Sequence, residues 1–112
     1  MDIRVTKHAE KRMRERLGIN KGSVGKAAQS AFDRGAKYED TTGKLRHFLD
    51  EKIICYGNKS IYRIYGEWLY VFSGDGFLVT IVPLYSDMIK CVKRRVAHEV
   101  HEKKQDQDDD NG

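Results

Sequence analysis

A chain of 112 residues with 39% hydrophobic and 34% charged side chains is long enough to bury one core without metal or disulfide staples and too short for two self-standing domains. That balance excludes a disordered chain, and no apolar run has the length needed to cross a bilayer, so a membrane-spanning role is excluded as well. The net charge of +4 conceals an asymmetry: residues 1–105 hold 21 basic against 13 acidic side chains, and Asp106, Asp108, Asp109 and Asp110 crowd the end. The expected organisation is a single α+β domain over 1–105 with a basic front, then a disordered acidic tail over 106–112.

The chain opens without an apolar signal region, which predicts a cytoplasmic protein. Thr6 is placed to cap a helix over residues 7–17, with Ala9, Met13 and Leu17 on its apolar stripe and Gly18 ending it in a φ > 0 conformation. Asn20 caps a second helix over about 21–34, ended by Gly35. Residues 36–42 are polar and turn-like, and 43–51 hold at most a short helical turn around Leu45, Phe48 and Leu49.

Four β-rich runs follow, at 52–56, 60–65, 68–73 and 77–84, and the glycine-bearing stretches between them read as hairpin loops. From Ser86, the spacing of Met88, Ile89, Val92, Val96 and Val100 predicts a C-terminal helix to about Lys104. The expected fold class is therefore α+β: two N-terminal helices packed on a four-stranded antiparallel β-meander, with a C-terminal helix.

On the first helix His8, Arg12 and Arg16 recur at i, i+4 and i+8, a line beside the apolar stripe, whereas Lys7, Lys11 and Arg14 point elsewhere as ordinary solvated charge. The plain alternative is a surface helix with several charge pairs. Neighbouring cations do not stabilise a helix, and a row of them makes sense if an anion lies across it. In the strands, Gly66-Glu67 as a two-residue turn sets Arg63 opposite Tyr70. A three-residue loop at Gly74 to Gly76 then sets Tyr70 opposite Thr80 and forms a polar row, whereas a two-residue Asp75-Gly76 turn sends Thr80 to the other face. Tyr65, Trp68 and Phe72 on that face suit either base stacking or a core, and Tyr65, Trp68 and Tyr70 are the aromatic candidates for binding nucleic acid.

Lys44, Arg46 and His47 form a basic stretch that either joins an anion pocket or stays exposed. His98, His101 and Glu102 offer at most adventitious metal binding, and no metal site or cofactor is expected. Cys55 and Cys91, without metal-ligand spacing, are expected to be reduced structural thiols.

The pieces His8-Ala9, Arg12-Met13, Glu15 to Ile19, Gly35, Arg63 to Gly66 and Thr80 to Leu84 together resemble the signature of a set of small phage and bacterial mobile-element proteins. That set is similar to the barnase/EndoU/colicin/RelE group of metal-independent ribonuclease folds, many of them toxins. The resemblance covers about residues 3–85 and implies a site of His8, Arg12, Arg16, Arg63 and Thr80, although no clear second acid or base accompanies His8. It implies RNA as the partner, with an antitoxin as a possible protein partner.

The chemistry is consistent with such residues. RNA cleavage without metal needs a base for the 2′-hydroxyl, a proton for the leaving 5′-oxygen and fixed cations for the charge that builds on phosphorus. The alternative expectation is a non-catalytic nucleic-acid or nucleoprotein binder, such as a phage-encoded inhibitor of a host defence nuclease.

Overall fold

The computed structural model of the chain describes residues 1–86 and Met88. Over that range the elements run β1 (Arg4–Val5), α1 (Lys7–Leu17), α2 (Lys21–Arg34), a 3-10 turn (Tyr38–Asp40), α3 (Gly43–Tyr56), β2 (Ile61–Tyr65), β3 (Trp68–Phe72) and β4 (Phe77–Pro83). Apart from Ser86 and Met88, the expected C-terminal helix lies outside the described residues, and so do Cys91, His98, His101, Glu102 and the acidic tail.

The first two helices begin where side chains satisfy orphan backbone donors: Thr6 Oγ1 accepts from the Ala9 N–H at 3.1 Å and Asn20 Oδ1 from the Ser23 N–H at 3.0 Å. Gly18 ends α1 at φ 69°, in the left-handed region. Gly35 ends α2 for a different reason. Its φ of −68° suits any residue, but a Cβ there would stand 2.9 Å from Arg63 Cβ and collide with the Ala31 carbonyl. That close approach lets Ala36 and Ile64 exchange backbone hydrogen bonds of 2.8 and 2.9 Å, which fasten the exit of α2 to β2.

The expected four-stranded antiparallel meander is corrected by the structure. The sheet is mixed, in the order β1-β4-β3-β2. Only β2, β3 and β4 form an antiparallel meander, while β1 lies parallel to β4 with Arg4 opposite Phe77 and Val5 opposite Leu78. Residues 52–56, expected as the first strand, complete α3 instead. The reason is an apolar stripe at helical spacing: Leu45, Phe48 and Leu49 are buried and Ile53 packs against the same cluster, so burial holds the helix through a segment whose local composition favours a strand. The described residues thus hold three helices, not two.

Helices cover both faces of the sheet. Ala9 and Met13 of α1 and Ala28 and Ala31 of α2 pack on one face with Tyr70 and Phe72. Leu45, Phe48 and Leu49 of α3 pack on the other with Ile64, Leu69 and Val71. This accounts for the near-continuous burial of β3, which no one-sided sheet would show.

The connection between β3 and β4 starts in the register that a three-residue loop at Gly74 to Gly76 predicts, and the departure is a bulge just beyond it. Residues 73–76 form it, closed by the Ser73 N–H on the Phe77 carbonyl at 2.8 Å. Phe72 pairs with Leu78 and Val71 with Thr80, which leaves Val79 as the extra residue of a bulge. Arg63 faces Tyr70 as expected, but Tyr70 faces Ile81. The anticipated row of Arg63, Tyr70 and Thr80 is therefore broken, with Thr80 on the α3 side of the sheet.

Candidate nucleic-acid interface

The geometry starts at Thr6. Its backbone N–H and its hydroxyl both donate to the Leu78 carbonyl, at 3.1 Å each, while its Oγ1 caps α1. The chain therefore leaves the sheet after Val5, and β1 covers β4 only at Phe77 and Leu78. Among the described residues, no strand pairs with the outer edge of β4 beyond that point.

Helix α1 runs beside this open edge. His8, Arg12 and Arg16, residues 79–83 of β4 and Tyr56 from the end of α3 line an open cleft of about 370 Å³. The Leu84 N–H bonds the Glu67 carbonyl at 3.2 Å, and antiparallel alternation from that pair turns the backbone groups of Ile81 away from β3 and into the cleft. Arg16 Nη1 donates to the Ile81 carbonyl at 3.1 Å, and its guanidinium lies 6.0 Å from the centroid of the Trp68 ring. Arg16 is thereby held at the edge with donors to spare. Arg12 is half-buried and His8 exposed. The cleft straddles the sheet edge: the three cationic or imidazole side chains come from the α1 side, Thr80 and Tyr56 from the α3 side.

The other expected site residues lie elsewhere. Arg63, on the opposite edge strand, donates through Nε to the Phe32 carbonyl at 3.1 Å and through Nη1 to the Tyr62 carbonyl at 3.0 Å, with its guanidinium 4.9 Å from the Phe32 ring. It satisfies one of the last carbonyls of α2. Burial lowers its pKa, with Glu39 and Asp40 opposing that effect.

Tyr70 is buried in the core under α1 and α2, with Tyr65 and Trp68 packed partly buried against it. Desolvation pushes the Tyr70 phenol up to about 12. These rings fill a core, and only Trp68 approaches the cleft, through Arg16.

On α3, Arg46 lies 4.8 Å from the Tyr38 ring and donates to the Tyr38 carbonyl at 3.4 Å, while exposed His47 pairs with Glu51 at 3.5 Å. Neither they nor Lys44 line the cleft.

A larger depression of about 640 Å³ lies on the other side of α1, where Glu10 and Glu15 are mixed with Lys7, Lys11, Arg14 and Lys21. Glu10 approaches Arg14 to 3.8 Å. Its opposite charges offset one another, so the smaller cleft, which no carboxylate among the described residues lines, is the better anion site.

Among the described residues no cluster of three or more His, Cys, Asp or Glu side chains is placed to hold a metal ion, and no helix is long and apolar enough to cross a membrane. Cys55 is a free, exposed thiol.

No family model, curated protein or solved structure matches the chain. The chemistry of the cleft is therefore read from its residues: an imidazole and two guanidiniums line it from the α1 side, and from the α3 side come the ring of Tyr56 and Thr80, which is buried with its hydroxyl directed at the Ile81 carbonyl at 3.5 Å. Tyr56 and Val79 escaped the sequence reading. The signal for Tyr56 was the helical spacing from Leu45 through Ile53, which continues to position 56 at the helix end.

Proposed function

We propose that the protein is a cytoplasmic, metal-independent ribonuclease-like protein that takes the RNA backbone into the cleft between α1 and β4. The observation that carries this reading is the convergence of His8, Arg12 and Arg16 on a single cleft that, among the described residues, no carboxylate lines. A guanidinium presents donors in a fork that fits phosphate oxygens, and an imidazole exchanges protons near neutrality.

In the reaction, His8 takes the proton of a ribose 2′-hydroxyl as that oxygen bonds to phosphorus and the bond from phosphorus to the 5′-oxygen breaks. The leaving oxygen takes a proton from water, and His8 returns its own proton to the resulting hydroxide. The products are a 2′,3′-cyclic phosphate end and a 5′-hydroxyl end. Arg12 and Arg16 hold the charge that develops on the phosphoryl oxygens. Arg63 has no part in this chemistry.

A second reading has a specific observation in its favour. With Arg63 engaged elsewhere, the cleft holds one fewer cation than the resemblance implies, which suits an RNA or nucleoprotein binder without turnover.

Labelled RNA incubated with the protein in EDTA separates the two. Cleavage that falls about 10²- to 10⁴-fold in His8→Ala, and also falls in Arg12→Ala, is the result expected of the enzyme. Binding without cleavage by the wild-type protein leaves the binder. Absence of binding even at low salt removes both.

A further inference from the structure

We infer that Tyr56 is a stacking platform for a nucleobase, so that the cleft takes single-stranded rather than duplex RNA; this rests on the reading of the cleft as an RNA site. Tyr56 stands across the β4 edge from the three phosphate-binding candidates, on the opposite side of the sheet, and it remains 41% exposed although it ends a helix that is otherwise anchored in the core. An aromatic ring left in a cleft opposite cations has the two chemistries a nucleotide needs: a flat apolar surface for the base and positive charge for the phosphate beside it.

The backbone around Tyr56 is held from three directions. The Gly57 N–H closes the last turn of α3 on the Ile53 carbonyl at 2.7 Å, the Ser60 hydroxyl donates to the Tyr56 carbonyl at 3.0 Å, and the Tyr62 hydroxyl donates to the Gly57 carbonyl at 2.6 Å. Gly57, at φ 97°, holds a positive-φ conformation that favours glycine immediately after Tyr56 and ends the helix there. A ring on so fixed a backbone has only its own two torsions to lose on binding, which favours it as an anchor. Bases in a duplex are stacked on one another and cannot reach such a ring, whereas unpaired bases splay outward onto aromatic side chains. Tyr65, Trp68 and Tyr70, the rings the sequence suggested for this purpose, are engaged in the core and leave Tyr56 as the ring that lines the cleft among the described residues.

The test uses the full chain and two short uncleavable probes with equal numbers of phosphates: a 2′-O-methyl oligouridine and an abasic strand of the same length. Wild-type protein is expected to bind the base-bearing probe roughly 5- to 100-fold more tightly than the abasic one. Tyr56→Ala is expected to bring that ratio close to one while binding the abasic probe as the wild type does, and Tyr56→Phe to keep the ratio. A wild-type ratio of one, or a ratio that survives in Tyr56→Ala, overturns the inference and leaves the phosphate cleft standing. Failure of the wild type to bind either probe at low salt overturns the RNA reading and this inference together.

Discussion

Two arginines that the sequence assigned to one site have different surroundings. Arg63 ends on the carbonyl oxygens of Phe32 and Tyr62 and is packed against a ring, so its charge serves the joint between α2 and β2; Arg12 ends in the cleft. The same division separates the tyrosines, since Tyr70 is 3% exposed and Tyr56 41%. Burial gives Tyr70 a measurable signature. Its folded-state pKa of about 12 stands above the ordinary 10.0 because the phenolate is poorly solvated in the core. A group raised in the folded state contributes stability that is complete below its unfolded pKa and is lost as pH climbs through the folded one. Urea unfolding between pH 9 and 12 should therefore show the wild type losing on the order of 2 kcal/mol more than Tyr70→Phe above pH 10. Tyr62, also raised by burial, contributes to both proteins and cancels in the comparison. Parallel pH profiles for the two would mean that the Tyr70 hydroxyl is solvated. At this scale the row of His8, Arg12 and Arg16 was legible because a helix repeats every 3.6 residues, whereas the partners of Arg63 depend on which elements meet it and no spacing reveals that.

Elements were legible where punctuation and period agreed. Thr6 with Gly18 and Asn20 with Gly35 bounded α1 and α2 at the residues where they occur, and the Gly66-Glu67 turn gave the register of β2 on β3. The run from Lys52 to Tyr56 misled because β-branched and aromatic residues dominate it locally, while the stripe that makes it helical begins seven residues earlier, at Leu45. Ile54, exposed at 85%, is an apolar residue that the helix sacrifices to keep Ile53 inward. A two-residue strand such as β1 has no period to read. The Val79 bulge, which decides the side on which Thr80 falls, adds one residue to β4 beyond the loop, and alternation alone does not reveal it. The seam at Gly35 offers an element-scale test. Gly35→Ala is compatible with the local φ, yet its Cβ would press on Arg63 and the Ala31 carbonyl. The variant should lose roughly 1–3 kcal/mol in urea unfolding, and amide exchange at Ala36 and Ile64 should quicken as their bridge opens. Wild-type stability and protection would show that α2 and β2 are not fastened there.

With both faces of the sheet covered by helices, its edges are what remain for recognition. The β2 edge is partly closed by the bridge between Ala36 and Ile64, and among the described residues the β4 edge is closed only as far as Leu78. The open part lies alongside the one row of side chains on α1 that is not mixed with carboxylates, so fold and charge distribution select the same surface. Salt dependence tests that selection on the whole molecule. Each phosphate that Arg12 and Arg16 neutralise on a single strand releases counterions with a log–log slope of about −0.7. Two such contacts give a slope of about −1.4, or roughly seven-fold weaker binding of an uncleavable oligonucleotide between 50 and 200 mM salt. Removing one contact in Arg12→Ala should make the slope shallower by about 0.7. Lys11→Ala, on the opposite side of the same helix, removes an equal charge and should leave the slope where it was. If Lys11→Ala changes the slope and Arg12→Ala does not, the strand binds the larger depression on the far side of α1, and the open edge of β4 loses its assigned ligand.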